Sequence, residues 1–236
     1  MGVEISSPSP FSQSSLADRA RIFAHRIEGR LRLGLTRRAI SYGLRRDLAV
    51  AVEHPSAKIP ISIRPMRAGD LGVLLPADTS SLDPGDRIEV AWRTRFAGKF
   101  GLAGGFVAID ERSGQPCYMQ WLLGPERNEA IARLKSFPPL AGGEALLENA
   151  YTPARHRGLG IMSAAMAQIA ERGAEIGARS VLTFVGEDNP ASLKGCRRAG
   201  FSPDIMHTRR DLVFGLLRSD RFETLTPDDP RRSWQI

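Results

Sequence analysis

The sequence predicts an α/β (α+β) fold: a mixed central sheet with helices on both faces, preceded by a basic helical arm. Three observations carry that expectation. Residues 145–151 form a short apolar run of strand length, followed by a turn that holds Gly158 and Gly160. Beyond the turn, Met162, Ala165, Met166, Ile169, Gly173 and Ile176 recur at spacings of three and four, which is one stripe of an amphipathic helix. Residues 105–110 and 117–123 are apolar segments joined through Ser113 and Gly114, the pattern of a hairpin. Strands and helices interspersed in this way build a sheet covered by helices.

The first 15 residues are rich in serine and proline and are expected to be disordered. Leu16, Ala20, Phe23, Ile27 and Leu31 then repeat at helical spacing among Arg19, Arg21, Arg26, Arg30 and Arg32. A second stripe, Ile40, Leu44 and Leu48, continues the expected helical arm to residue 52, and the arm with its linker runs over 16–58. From Asp18 to Asp47 nine arginines face three acids, so nearly all of the formal +7 charge lies in one segment. Three destinations compete for this arm. Its apolar stripe packs on the domain or on a second subunit of a homodimer, or it lies on an anionic membrane surface. Nucleic acid is the least supported, since Phe23 and Tyr42 are the arm's only aromatics and no recognisable binding module is present.

Pro55 and Pro60 bracket a linker, and residues 59–65 alternate as a strand, so the main domain is expected over 59–222. A short helix at 71–75 stops at Pro76. Asp83 and Pro84 form a cap and first turn for a helix reaching about Phe96. After the hairpin, 126–135 reads as helical and 137–140 as a rigid loop. This insertion either covers a binding cleft or is a surface excursion. The central strand, turn and helix follow, then a strand at 180–185, a helix at 189–199, strands at 205–210 and 211–217, and a loose polar tail from 223.

The turn carries the chemistry. Amides in the first turn of a helix have no partner inside it, and the aligned peptide dipoles leave partial positive charge there. Gly158 and Gly160 let the backbone bend and approach a ligand without a Cβ in the way. The product is a site for phosphate or pyrophosphate, with Arg157 at its mouth.

Arg157-x-x-Gly160-x-Met162, then a helix, the strand at 180–185, and Asn189, Ser192, Gly200 and Phe201 beyond it, resembles the GNAT acyltransferase superfamily. The likeness covers roughly 59–217 and is strongest over 145–201. It implies that the turn cradles the pyrophosphate of coenzyme A, and therefore that Arg157, Gly158, Leu159, Gly160, Ile161 and Met162, together with Asn189, bind the co-substrate; Asn189 and Ser192 otherwise serve as the cap of the helix that follows. It also implies that backbone N–H groups around Ala150 and Tyr151 polarise the thioester carbonyl as an oxyanion hole. The sequence departs from the family pattern with Met162 at the third small position of the turn and Cys196 where the usual tyrosine acid stands. A second register, Arg155-x-x-Gly158-x-Gly160, restores the glycine but leaves the apolar stripe two residues late, so the Arg157 register is preferred.

The resemblance implies an N-acyltransferase that moves an acyl group, most simply acetyl, from acyl-CoA directly to a primary amine of a small molecule. Glu148 is the expected base, because strand alternation places it with Leu146 and Ala150, and apolar neighbours raise a carboxyl's pKa. Its plain alternative is an acid paired with an arginine. Glu187, Asp188 and His156 are weaker candidates. Cys196 is the candidate acid, with a reference thiol pKa of about 8.5, or else a small buried hydrophobe. Two further readings stay open: a membrane-peripheral acyltransferase acting on a lipid or cell-envelope precursor, and a non-catalytic module that binds coenzyme A.

Two cysteines and four scattered histidines predict neither a disulfide framework nor a metal site. No run approaches the roughly 18 apolar residues of a spanning helix. The first residues lack the basic and apolar regions of a secretory signal, so a cytoplasmic protein, at most peripheral to a membrane, is expected.

Overall fold

The computed structural model describes residues 34–233. The stripe from Leu16 to Leu31 and the serine-rich start lie outside them. In chain order the elements are β1 (Thr36–Asp47), β2 (Ile61–Pro65), α1 (Ala68–Leu74), α2 (Pro84–Phe100), β3 (Gly105–Asp110), β4 (Gln115–Leu123), α3 (Asn128–Ala132), β5 (Glu144–Tyr151), α4 (Ile161–Glu171), β6 (Ser180–Gly186), α5 (Pro190–Arg198), β7 (Ser202–Leu212) and β8 (Leu217–Thr224). The eight strands form one mixed sheet in the order β2-β3-β4-β5-β6-β1-β7-β8. Neighbours from β2 to β5 run antiparallel, β5 and β6 run parallel, and β1 is antiparallel to β6.

The expected second helical stripe is a strand. Ile40, Leu44 and Leu48 are four apart, and four is an even number as well as one turn of a helix, so the spacing suits both periods. The residues between them decide. Tyr42 and Leu44 turn to the core, Arg46 lies on the same face at 2% exposure, and Gly43 sits where a Cβ would meet Phe184 at 2.7 Å and Ile205 at 2.8 Å. The arm therefore does not run helically to residue 52, and the boundary at 59 cuts off a strand that sits inside the sheet. Arg45 binds Asp204 and Glu144 at 2.7 Å each. Arg46 donates to the carbonyls of Ala167 and Ala199 at 2.9 and 3.3 Å and pairs with Glu171 at 2.8 Å, closing the ends of α4 and α5. Two of the nine arginines are thus spent on packing.

Each face of the sheet carries a core. On one, Ile161, Met166 and Ile169 of α4 and Leu193 of α5 meet Tyr118, Leu147 and Val181. On the other, Phe96 and Phe100 of α2 stack at 4.4 Å, and Phe96 meets the edge of the Trp121 ring at 5.5 Å. Side chains of this size contribute about 1.5–3 kcal/mol each when fully buried. Asp83 caps α2 by accepting from Asp86 N at 2.9 Å, and the helix runs on to Phe100, one turn past the expected end.

Other boundaries move for local reasons. The insertion after β4 holds only the short α3 and a preceding 3-10 turn, since Asn128 both accepts from Leu140 N and donates to Leu140 O, folding the loop back. The chain reverses between β7 and β8 at Val213, Phe214 and Gly215, all left-handed, so the last strand lies later than expected. The tail is held down: Arg232 donates to Asp204 and to Leu225 O at 2.9 and 2.8 Å, and Leu225 is buried.

By compactness the chain divides into two units. Among the described residues, one comprises 39–208 and 220–233, and the other joins 34–38 to 209–219.

Candidate active site

β5 makes the site by losing its partner. It pairs with β6 only from Glu144 to Leu146, opposite Ser180 to Leu182, and beyond that point the two strands have no register. On its other side, Trp121 faces Glu148 and Met119 faces Tyr151, so Asn149 and Ala150 stand opposite the single residue Gln120. This is a β-bulge, and Asn149 takes the left-handed conformation at φ 61°. Asparagine tolerates that region better than most residues.

A cavity of about 370 Å³ fills the opening. Glu148, Asn149 and Ala150 form one side, with 183–186 of β6 opposite. Met162, Met166, Asn189 and Ser192, together with Ile88, Glu89, Trp92 and Arg93 of α2 and Gln120, complete the lining. Arg93 lies over the Trp92 ring at 4.7 Å, pairs with Glu89 at 2.8 Å and donates to Asn149 Oδ1 at 3.3 Å. A guanidinium only donates, so the Asn149 oxygen must face it and its amide nitrogen is buried without a partner among the described residues. Tyr118 donates to Gln120 Oε1 at 2.7 Å.

Glu148 lies in the cavity wall. Removal from water pushes its carboxyl up to about 7, although the Asn149 backbone N–H and the Arg93 charge both act to lower it. Glu148 makes no ion pair among the described residues, unlike the arginine-paired acid that was its alternative. The bulge changes one detail: Ala150 packs with the face of Leu147, not with Leu146 as simple alternation requires.

The glycine turn follows β5. Gly158 and Gly160 are both left-handed, at φ 75° and 73°, and Gly160 is the residue before α4. The amides of 158–163 find no acceptor among the described residues. The turn is fixed from behind, because Lys58 N donates to Leu159 O at 2.8 Å and Ser56 O would lie 3.3 Å from a Cβ on Gly160. Ile161 is a core side chain. Met162 extends toward α5, where its Sδ would be 3.1 Å from a Cβ on Gly195, so the missing side chain there makes its room. Arg157 pairs with Asp86 and donates to Thr152 O at 3.1 Å. Asn189 caps α5, accepting from Ser192 N at 3.0 Å, and also lines the cavity. Tyr151 is buried, its phenol raised chiefly by loss of water.

Cys196 is not at the cavity. It is fully buried in the core, and burial pushes its thiol up to about 12, far too weak an acid to return a proton to an ordinary thiolate. Glu187 and Asp188 are exposed. His156 is half-buried away from the cavity, its pKa lowered by burial and by Arg155. Sequence reasoning passed over Arg93, Gln120, Asn149 and Thr183. Among these only Asn149 left a trace, as a residue suited to positive φ inside an apolar strand.

Residues 92–201, which contain most of the cavity wall and the whole turn, match the Acetyltransferase (GNAT) family. The chain carries a GNAT acetyltransferase domain. Members of that family draw on acetyl-CoA. No curated protein matches the chain. Among solved structures, it is similar to a Drosophila protein at 14% identity and TM-score 0.48, covering 85% of this chain and 59% of that one. It is similar to a GCN5-related N-acetyltransferase from Sphaerobacter thermophilus at 14% identity and TM-score 0.49, covering 84% of this chain and 57% of that one. It is also similar to the GCN5-related glucosamine N-acetyltransferase region of a fungal multi-domain GH3 β-N-acetylglucosaminidase, at 13% identity and TM-score 0.52. That match covers 84% of this chain and 23% of the fungal one, and at such identity it speaks for the fold of the GNAT domain alone. Among the described residues no helix is long and apolar enough to cross a membrane, and no three His, Cys, Asp or Glu are grouped to hold a metal.

Proposed function

We propose that this protein is an N-acetyltransferase that acetylates a primary amine of a small molecule, with Glu148 as the base. The observation that carries the proposal is an ionisable carboxyl, raised to about 7, in the wall of a cavity that opens where β5 and β6 part. A group with that pKa is half ionised near neutral pH, the range in which a general base is most effective. It takes the proton of an incoming ammonium and leaves a neutral, nucleophilic amine.

The residues present suit acetyl-CoA. Six amides at 158–163 without acceptors, at the start of an eleven-residue helix, complement a diphosphate. The β6-facing edge of β5 beyond Leu146 offers backbone groups that no strand pairs. Acetyl-CoA, when bound, supplies the activated thioester. α2, with Ile88, Trp92 and Arg93, lines the cavity and is the wall assigned to the acceptor amine.

With Cys196 shut in the core, no side-chain thiol or phenol is assigned as the acid. Proton return to the departing thiolate falls to solvent or to the substrate. The same burial gives weight to a second reading, a domain that holds coenzyme A without turnover. Calorimetric titration with acetyl-CoA, followed by an amine screen that reports free thiol, separates the two. Binding with thiol release on some amines supports the transferase; tight binding with no release on any amine supports the second reading.

A further inference from the structure

The unit formed by 34–38 and 209–219 presents an unusual surface. Leu35, Leu212, Val213, Leu216 and Leu217 are exposed by 42–68%, and all lie at the β7–β8 reversal or on the chain bonded to it. Val213 N donates to Leu35 O at 2.7 Å and Phe214 N to Gly34 O at 3.0 Å. Those bonds hold three consecutive left-handed residues, at φ 51°, 57° and 73°. Two of the three are not glycine, and one is β-branched, so the reversal is strained and kept by its surroundings. Around the apolar tip stand Arg37, Arg38, Arg210 and Arg218, all exposed, while the only acid of these segments, Asp211, is 9% exposed.

We propose that this tip docks on an anionic membrane surface, with the leucines entering the interface and the arginines on the headgroups. An apolar end ringed by charge of a single sign fits that partner on both counts. A second copy of the chain in the same place would set arginine against arginine. The segment 1–33 carries net positive charge too and would meet the same repulsion. The inference does not rest on the acetyltransferase reading.

The test is flotation of the full chain with vesicles of phosphatidylcholine alone and of phosphatidylcholine mixed with phosphatidylglycerol. Binding only to the mixed vesicles is the expected result. Leu216→Ser with Leu217→Ser weakens it by about tenfold per leucine. Arg37→Gln with Arg38→Gln weakens it by about fivefold per charge. Circular dichroism and thermal melting show whether each variant is folded. An independent reading uses Leu217→Cys carrying an environment-sensitive fluorophore, since Cys117 and Cys196 are buried and stay unlabelled. Its emission shifts to the blue on mixed vesicles. Failure of the unaltered chain to float, unchanged binding in the folded leucine variant, or a label that stays in water while the chain floats each overturns the proposal. So does light scattering that shows a dimer lost with the leucines and no vesicle binding.

Discussion

Glu148 is held in an unfavourable state for a reason. A carboxyl raised to about 7 in the folded chain, against 4.5 as its ordinary value, binds a proton more tightly folded than unfolded. Its contribution to stability is therefore present at acid pH and lost as pH rises from about 4.5 through 7. Glu148→Gln is expected to melt higher than the unaltered chain above pH 7, by an amount corresponding to about 1–3 kcal/mol. The same change lowers kcat/KM by about 10²–10³ and removes the limb of the pH–rate profile near 7. Stopped assays across pH, alongside melting curves at the same values, check both halves together. Asn149→Gly keeps the left-handed backbone but removes the oxygen that fixes Arg93, and is expected to raise KM for the acceptor about tenfold with the fold intact. Steady-state kinetics with varied amine measures it. Of these residues, Glu148 was legible as an acid in an apolar strand. Arg93 was not, because a charged residue in a mostly exposed helix reads as solvated until the facing bulge is known.

The elements show where periodicity decides and where it does not. The glycine turn allowed two registers, separated by the apolar stripe behind it, whereas the hairpin and the start of α4 each followed from one pattern. β1 did not, because apolar residues spaced by four satisfy a strand and a helix equally. The deciding feature is Gly43, whose missing side chain admits Phe184 and Ile205. Gly43→Ala is expected to cost about 1–3 kcal/mol in chemical denaturation by overpacking, and to alter the cavity through Phe184. Arg46→Ala removes the donor that closes α4 and α5 and is expected to cost about 1.5–3 kcal/mol in the same measurement. The apolar stripe of α4 stopped early for a comparable reason. A Cβ on Gly173 would lie 3.1–3.2 Å from Val181 and Leu48, the helix tightens to 3-10 there, and Ile176 is left exposed.

At the scale of the molecule, the order of strands was hidden in the sequence. β1 comes first in the described chain yet lies between β6 and β7, while β2, thirteen residues after it, is at the far edge. Local pattern carries no information on such long-range pairing. A chain cut at residue 59 would lose the strand between β6 and β7, and is expected to be insoluble. Hydrogen exchange checks this without truncation: amides of Gly43 to Arg45 should exchange as slowly as those of Leu182 and Thr183, their partners and neighbours in β6. The matched GNAT segment, 92–201, contains neither β1 nor β2, so the domain as folded is larger than its recognisable part. The most direct test of the whole assignment is a crystal structure grown with coenzyme A. Diphosphate density on the amides of 158–163, with the thiol end reaching Glu148 through the gap between β5 and β6, is the expected result. Density elsewhere on the chain, with that turn turned away from the nucleotide, contradicts it.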